Sequence, residues 1–141
     1  MNTTVINLTQ NDGYVTNLFS YKTSNDTVLG NVVIFHGMAE HHERYLDFIQ
    51  ALTCEGFDVY TYDHRGHGTD KKLSELGYIA KKNGSSILIN DALTVCKHVK
   101  ENGRSEKENN RPDSHNNPYS VYREKQGLHI VRSDYFLLQK Y

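Results

Sequence analysis

Val32-Val33-Ile34-Phe35-His36-Gly37-Met38-Ala39-Glu40-His41 and, further along, Asp58-Val59-Tyr60-Thr61-Tyr62-Asp63-His64-Arg65-Gly66-His67-Gly68 are the two stretches on which the reading of this chain turns. Each is a β-favouring run that stops at a polar turn rich in Gly and His. Runs without strict in-and-out alternation mark strands covered on both faces, the habit of parallel sheets with helices above and below. In such sheets chemistry gathers at the carboxyl ends of the strands, and both turns fall there.

Toward the N-terminus, Val5 to Leu8 and Tyr14 to Lys22 read as a hairpin closed by Asn11-Asp12-Gly13, since Asp-Gly between extended segments favours the positive φ of tight turns. Between the two key stretches, Arg44 to Glu55 predicts a helix with Tyr45, Ile49 and Leu52 on one face, stopped by Gly56. After the second stretch, Ser85 or Ser86 is a candidate N-cap for another helix. Its inward stripe is read as Ile89, Leu93, Cys96 and Val99, with Asp91 and Lys97 outside it and Gly103 closing it. From Arg104 to Gln126 the chain is mostly charged or Asn and Ser, interrupted by Pro112 and Pro118. Such a segment buries too little apolar area to offset its ordering entropy. The expected division is therefore a folded portion over 1–103, a disordered linker over 104–126 and an apolar, aromatic tail over 127–141.

With 16 Lys and Arg against 17 Asp and Glu, the net charge of −1 gives no electrostatic case for nucleic acid or an anionic membrane surface. No run approaches the ~18 apolar residues of an integral membrane segment, and the first ten residues lack the basic start and apolar core of a secretory signal. Cys54 and Cys96 are read as free, buried thiols, which suits a reduced, cytoplasmic protein. A chain of 141 residues can bury one modest core.

His36-Gly37-x-x-Glu40-His41 followed by Arg44-Tyr45, together with Asp63-His64-Arg65-Gly66-His67-Gly68-Thr69, resembles the α/β-hydrolases. Within that family the likeness is to the branch of monoacylglycerol lipases and lysophospholipases, which usually has Ser where Thr69 stands. The resemblance runs from about Val5 to Asn102. It implies an α/β fold that is incomplete: the N-terminal strands and two helices of a mostly parallel sheet. It also implies a lipid or small-ester substrate and no cofactor. By the same resemblance the backbone N–H of Met38 would point into an oxyanion hole. His36, Gly37, Glu40, His41, Arg44, Asp63, Arg65, Gly66 and Gly68 would hold the surrounding loops in shape.

The reactive half of such a site is not found. Acyl transfer by serine needs a nucleophile on a strand-to-helix elbow, usually Gly-x-Ser-x-Gly, with a His base and an acid. Gly103-Arg104-Ser105-Glu106-Lys107 fails at Lys107, Gly84-Ser85-Ser86 fails too, and His129 and Asp134 match no motif. The expectation is a truncated serine ester hydrolase, inactive alone. One alternative is a non-catalytic interaction protein that uses the half-fold's strand edge. Another is a metal site among His36, His41, His42, His64, His67, Glu43 and Asp63, although their spacing fits no familiar ligand motif.

In the resembled fold the strand ending at Phe35 lies between the strand ending at Tyr62 and the nucleophile-bearing strand. Without the latter it becomes an exposed edge with apolar side chains on both faces. Two repairs suggest themselves. Leu128 to Val131 or Tyr135 to Leu138 could add as a surrogate strand, or a separate complementing chain could complete the sheet.

Overall fold

A computed structural model describes residues 2–69, 71–72, 75–104, 121–124 and 128–132. The hairpin forms where it is expected: β1 (Asn2–Thr9) pairs antiparallel with β2 (Val15–Lys22). Its turn is closed by Gln10 N–H donating to Tyr14 O at 2.7 Å, and Gly13 takes φ +84°, which a side chain would resist. The strand β3 (Gly30–Phe35) leads to a 3-10 turn at His42–Tyr45 and then to α1 (Leu46–Cys54). Gly56, at φ +105°, reverses the chain into β4 (Phe57–Tyr62), and α2 (Gly84–Asn102) follows a long loop. Two further strands, β5 (Val121–Glu124) and β6 (Leu128–Arg132), join the same sheet.

The strand order is β1-β2-β4-β3-β6-β5. The ladders β4–β3 and β3–β6 at its centre are parallel, and those toward the margins are antiparallel. Every residue of β3 is buried, because the sheet is covered on both faces. On one side Val33, Phe35, Tyr60 and Tyr62 pack with Val95 and Val99 of α2; on the other Val32, Ile34 and Val59 pack with Ile49 of α1. Alternate side chains of one strand thus serve two cores, so the apolar run needs no polar interruption.

The position next to β3 is filled by β6, in register from Asn31 opposite Leu128 to Phe35 opposite Arg132. The surrogate strand expected at Leu128 forms there; Tyr135 to Leu138 lie outside the described residues. Pairing gives the β3 backbone a partner on both sides, which removes the exposed edge expected for it. Two features of the expected linker over 104–126 differ from the sequence reading. Val121–Glu124 form β5, a β-favouring segment with a ladder partner in β6. Arg104 is held as well: its guanidinium donates to both oxygens of the buried Asp58 at 2.7 and 2.8 Å and to Thr23 O at 3.1 Å. The rest of that linker, 105–120 and 125–126, lies outside the described residues.

Helix α2 is rotated relative to its expected face. Leu88, Asp91, Val95 and Val99 are buried, while Ile89 and Leu93 are exposed. Spacings of 88, 92, 95, 99 and of 89, 93, 96, 99 both satisfy a helical stripe. Arg65 selects the first by drawing Asp91 inward. The helix begins at Gly84 behind Asn83 (φ 58°), without a side-chain cap from Ser85 or Ser86. The thiols differ too, Cys54 being exposed and Cys96 half-buried.

Candidate active site

The loop after β3 is best understood by asking where its four N–H groups at 37–40 go. Gly37 N–H donates to Glu40 Oε2 at 2.8 Å, Ala39 N–H to His67 Nε2 at 3.4 Å, and Glu40 N–H to Gly37 O at 3.2 Å. The N–H of Met38 is the one left, with no acceptor among the described residues, and Met38 is half exposed. The direction of that N–H is also set. The Gly37 carbonyl accepts from Glu40 N–H and from His36 Nδ1–H (2.8 Å). Across a trans peptide the N–H points opposite to the C=O, so the Met38 N–H faces away from His36.

The sequence-predicted loop residues divide into two groups. Glu40 is a clamp, accepting from Gly37 N–H and from Tyr45 O–H (2.7 Å). Burial pushes its carboxyl up, but these two donors and the nearby Arg44 outweigh that and hold it below the usual carboxylate range. His41 and Arg44 enter through the backbone, Arg44 N–H donating to His41 O at 3.2 Å. The Arg44 side chain is exposed.

Behind the loop lies a cluster of imidazoles packed edge to face or tilted. His36 and His64 meet at 4.2 Å between ring centroids, and His36 and His67 at 5.3 Å. All three are buried. His36 accepts on Nε2 from His64 N–H at 2.9 Å, which with its Nδ1 bond fixes one neutral tautomer. Burial lowers the pKa of His36, and burial followed by the neighbouring His36 lowers that of His64 to about 3. His36 and His64 bond backbone groups through their rings, which makes them bracing, and among the described residues no cluster of three or more His, Cys, Asp or Glu is arranged to hold a metal ion.

Asp63 and Arg65 tie the β4 loop to three other elements. Asp63 takes His42 N–H at 2.7 Å and His42 Nδ1–H at 2.8 Å; burial raises its carboxyl, and the His42 bonds outweigh this and lower it. Arg65 forks onto Asp91 of α2 (Nε to Oδ2 2.6 Å, Nη2 to Oδ1 2.7 Å) and onto Asp12 of the hairpin turn, over the ring of Tyr14. Gly66, at φ +71°, accepts on its carbonyl from Gly77 N–H, and a Cβ there would lie 2.3 Å from Tyr78 O. Gly68 is also at positive φ. The partners Asp12, His42 and Asp91 were not assigned these roles from sequence. The helical period alone puts Asp91 on the outer face, and the sequence suggests His42 only as a metal ligand. The depression bordered by Tyr14, Phe19, His42, Asp63, His67 and Lys71 holds about 240 Å³, below the ~300–1,000 Å³ of ordinary ligand pockets.

A family model described as "Serine aminopeptidase, S33" matches residues 26–109, across both glycine–histidine loops and both helices. The chain belongs to this family. It is an α/β-hydrolase, as the loop motifs led us to expect. It is 40% identical over 47 residues to a putative monoglyceride lipase of Schizosaccharomyces pombe, covering 33% of this chain and 12% of that protein. To a monoacylglycerol lipase of Mycolicibacterium smegmatis it is 51% identical over 39 residues, 28% of this chain and 14% of that protein. Among solved structures, a thermostable carboxyl esterase from Bacillus coagulans superposes with a TM-score of 0.61 at 28% identity, over 72% of this chain and 33% of the esterase. A monoglyceride lipase of Saccharomyces cerevisiae gives 0.57 at 19% identity, over 71% and 31%, a likeness of fold. The chain thus spans about a third of these structures and a smaller share of the curated relatives.

Proposed function

We propose that these 141 residues carry the oxyanion side of an acyl-ester hydrolase site, for a lipid or small carboxylic ester, and do not cleave esters by themselves. The observation behind the first half is the Met38 N–H, left without an acceptor among the described residues while its neighbours are bonded, and turned away from His36 by the Gly37 carbonyl. An amide held in place before substrate arrives stabilises developing negative charge without reorganising. The loop residues His36, Gly37, Glu40, Asp63, Arg65, Gly66 and Gly68 serve this by fixing backbone, and none of them attacks the substrate. The second half rests on the sequence, which contains no Gly-x-Ser-x-Gly. His129, weighed as a triad member, sits within β6 opposite Val32, and Asp134 lies outside the described residues.

The test is hydrolysis of nitrophenyl butyrate by the purified chain. No turnover above the buffer blank is expected, and turnover abolished by a serine-directed phosphonate refutes the proposal. The competing reading, an interaction module with an exposed β3 edge, is weakened by the pairing of that strand with β6.

A further inference from the structure

The loop that would hold the oxyanion is anchored from β4 as well as from within, and the outer anchor is His67. Ala39 sits at φ 58°, a conformation that side chains resist. A residue held there needs an outside partner to keep it. His67 is buried, and its Nδ1–H donates to Arg65 O at 3.0 Å. That bond commits the ring to the Nδ1–H tautomer and leaves Nε2 as an acceptor, which meets Ala39 N–H at 3.4 Å. The Arg65 carbonyl that orients the ring belongs to the residue forked onto Asp12 and Asp91. The imidazole therefore links the loop after β3 to a residue of the loop after β4 that is itself tied to two carboxylates.

From this we infer that His67 is a positioning residue: by accepting from Ala39 N–H it holds the left-handed turn that keeps the neighbouring Met38 N–H facing away from His36. The inference deepens the oxyanion reading and rests on it for its functional meaning, but the contact itself can be tested without any activity. The bond is long, so its effect is that of a single modest hydrogen bond.

The experiment is NMR on the ¹⁵N-labelled full chain at pH 8. Imidazole nitrogen shifts of the unaltered protein are expected to show His67 as the Nδ1–H tautomer; the Nε2–H tautomer overturns the proposal without need of a variant. Amide hydrogen exchange is then compared in His67→Leu and His67→Gln, the latter placing an acceptor oxygen near the position of Nε2. Ala39 is expected to exchange roughly fivefold faster in the Leu variant and close to the original rate in the Gln variant. Gly37, clamped by Glu40, should change in neither. Equal Ala39 rates in the original and Leu proteins, or an equal acceleration of Gly37, overturn it. Since the readout is an amide and not ester turnover, an inactive chain with a confirmed His67 contact and an active chain without one are separate outcomes.

Discussion

Replacing Arg65 with Met tests the bracing of the site most severely. The guanidinium gives Asp91 two bonds, at 2.6 and 2.7 Å, and Asp91 is 2% exposed. Met keeps an unbranched stem of similar length but leaves the Asp91 carboxylate buried without its cation and removes the guanidinium from over Tyr14. Breaking a buried pair from one side costs about 3–5 kcal/mol, a large share of the ~5–15 kcal/mol that a domain of this size possesses. Asp12 is half exposed, so losing its bonds adds little. Urea unfolding followed by far-UV circular dichroism measures the change. Because removing both partners is far less damaging than removing one, Arg65→Met combined with Asp91→Leu should recover most of the loss. A single-variant loss below ~1 kcal/mol, or a double variant no better than the sum of the singles, would refute the claim that Asp91 faces inward because Arg65 draws it there.

The imidazole cluster predicts a pH dependence. His64 is held at about 3 in the fold against 6.5 when free, so the unfolded chain takes up its proton first. Its contribution to stability is whole above roughly pH 6.5 and is lost as pH falls toward 3, amounting to roughly 2 kcal/mol by pH 5. The lowered carboxyls of Glu40, Asp58 and Asp63 contribute above the unfolded range near pH 4, and what they add is lost only below it. His64→Gln should therefore flatten the slope of urea midpoints between pH 7 and 5, and an unchanged slope would count against the buried neutral ring. Gly66→Ala and Gly13→Ala both place a side chain at positive φ, but a Cβ at 66 collides with the Tyr78 backbone whereas one at 13 meets nothing within 4 Å. Both should lose about 1–2 kcal/mol for the conformation. Gly66→Ala should lose about 1 kcal/mol or more beyond that as the Gly77-to-Gly66 bond breaks, and equal melting temperatures would contradict this.

The family was legible because its signature is local. His36-Gly37 and Asp63-His64-Arg65-Gly66-His67-Gly68 are contiguous, and each is a strand end whose turn needs glycine. The hairpin was legible for the same reason, as was β4 (Phe57–Tyr62), which falls on the second of the two quoted stretches. Pairings between distant residues were not legible. Nothing near Asp91 in the sequence distinguishes a buried acid from a solvated one, and the helix phase followed the more apolar count. Arg104 looked like the first residue of a polar linker until Asp58, 46 positions away, supplied its partner.

What the sequence determined alone was the class of fold and the presence of a loop able to offer a backbone N–H, since periodicity, glycine placement and short motifs are encoded within a few residues of one another. What only the tertiary structure decided was which donor of the 37–40 loop finds no acceptor among the described residues, which face of α2 turns inward, and which strand lies beside β3. Those outcomes depend on hydrogen-bond partners and packing surfaces that meet only after the chain has closed loops of many residues, and that encounter leaves no local periodicity to read.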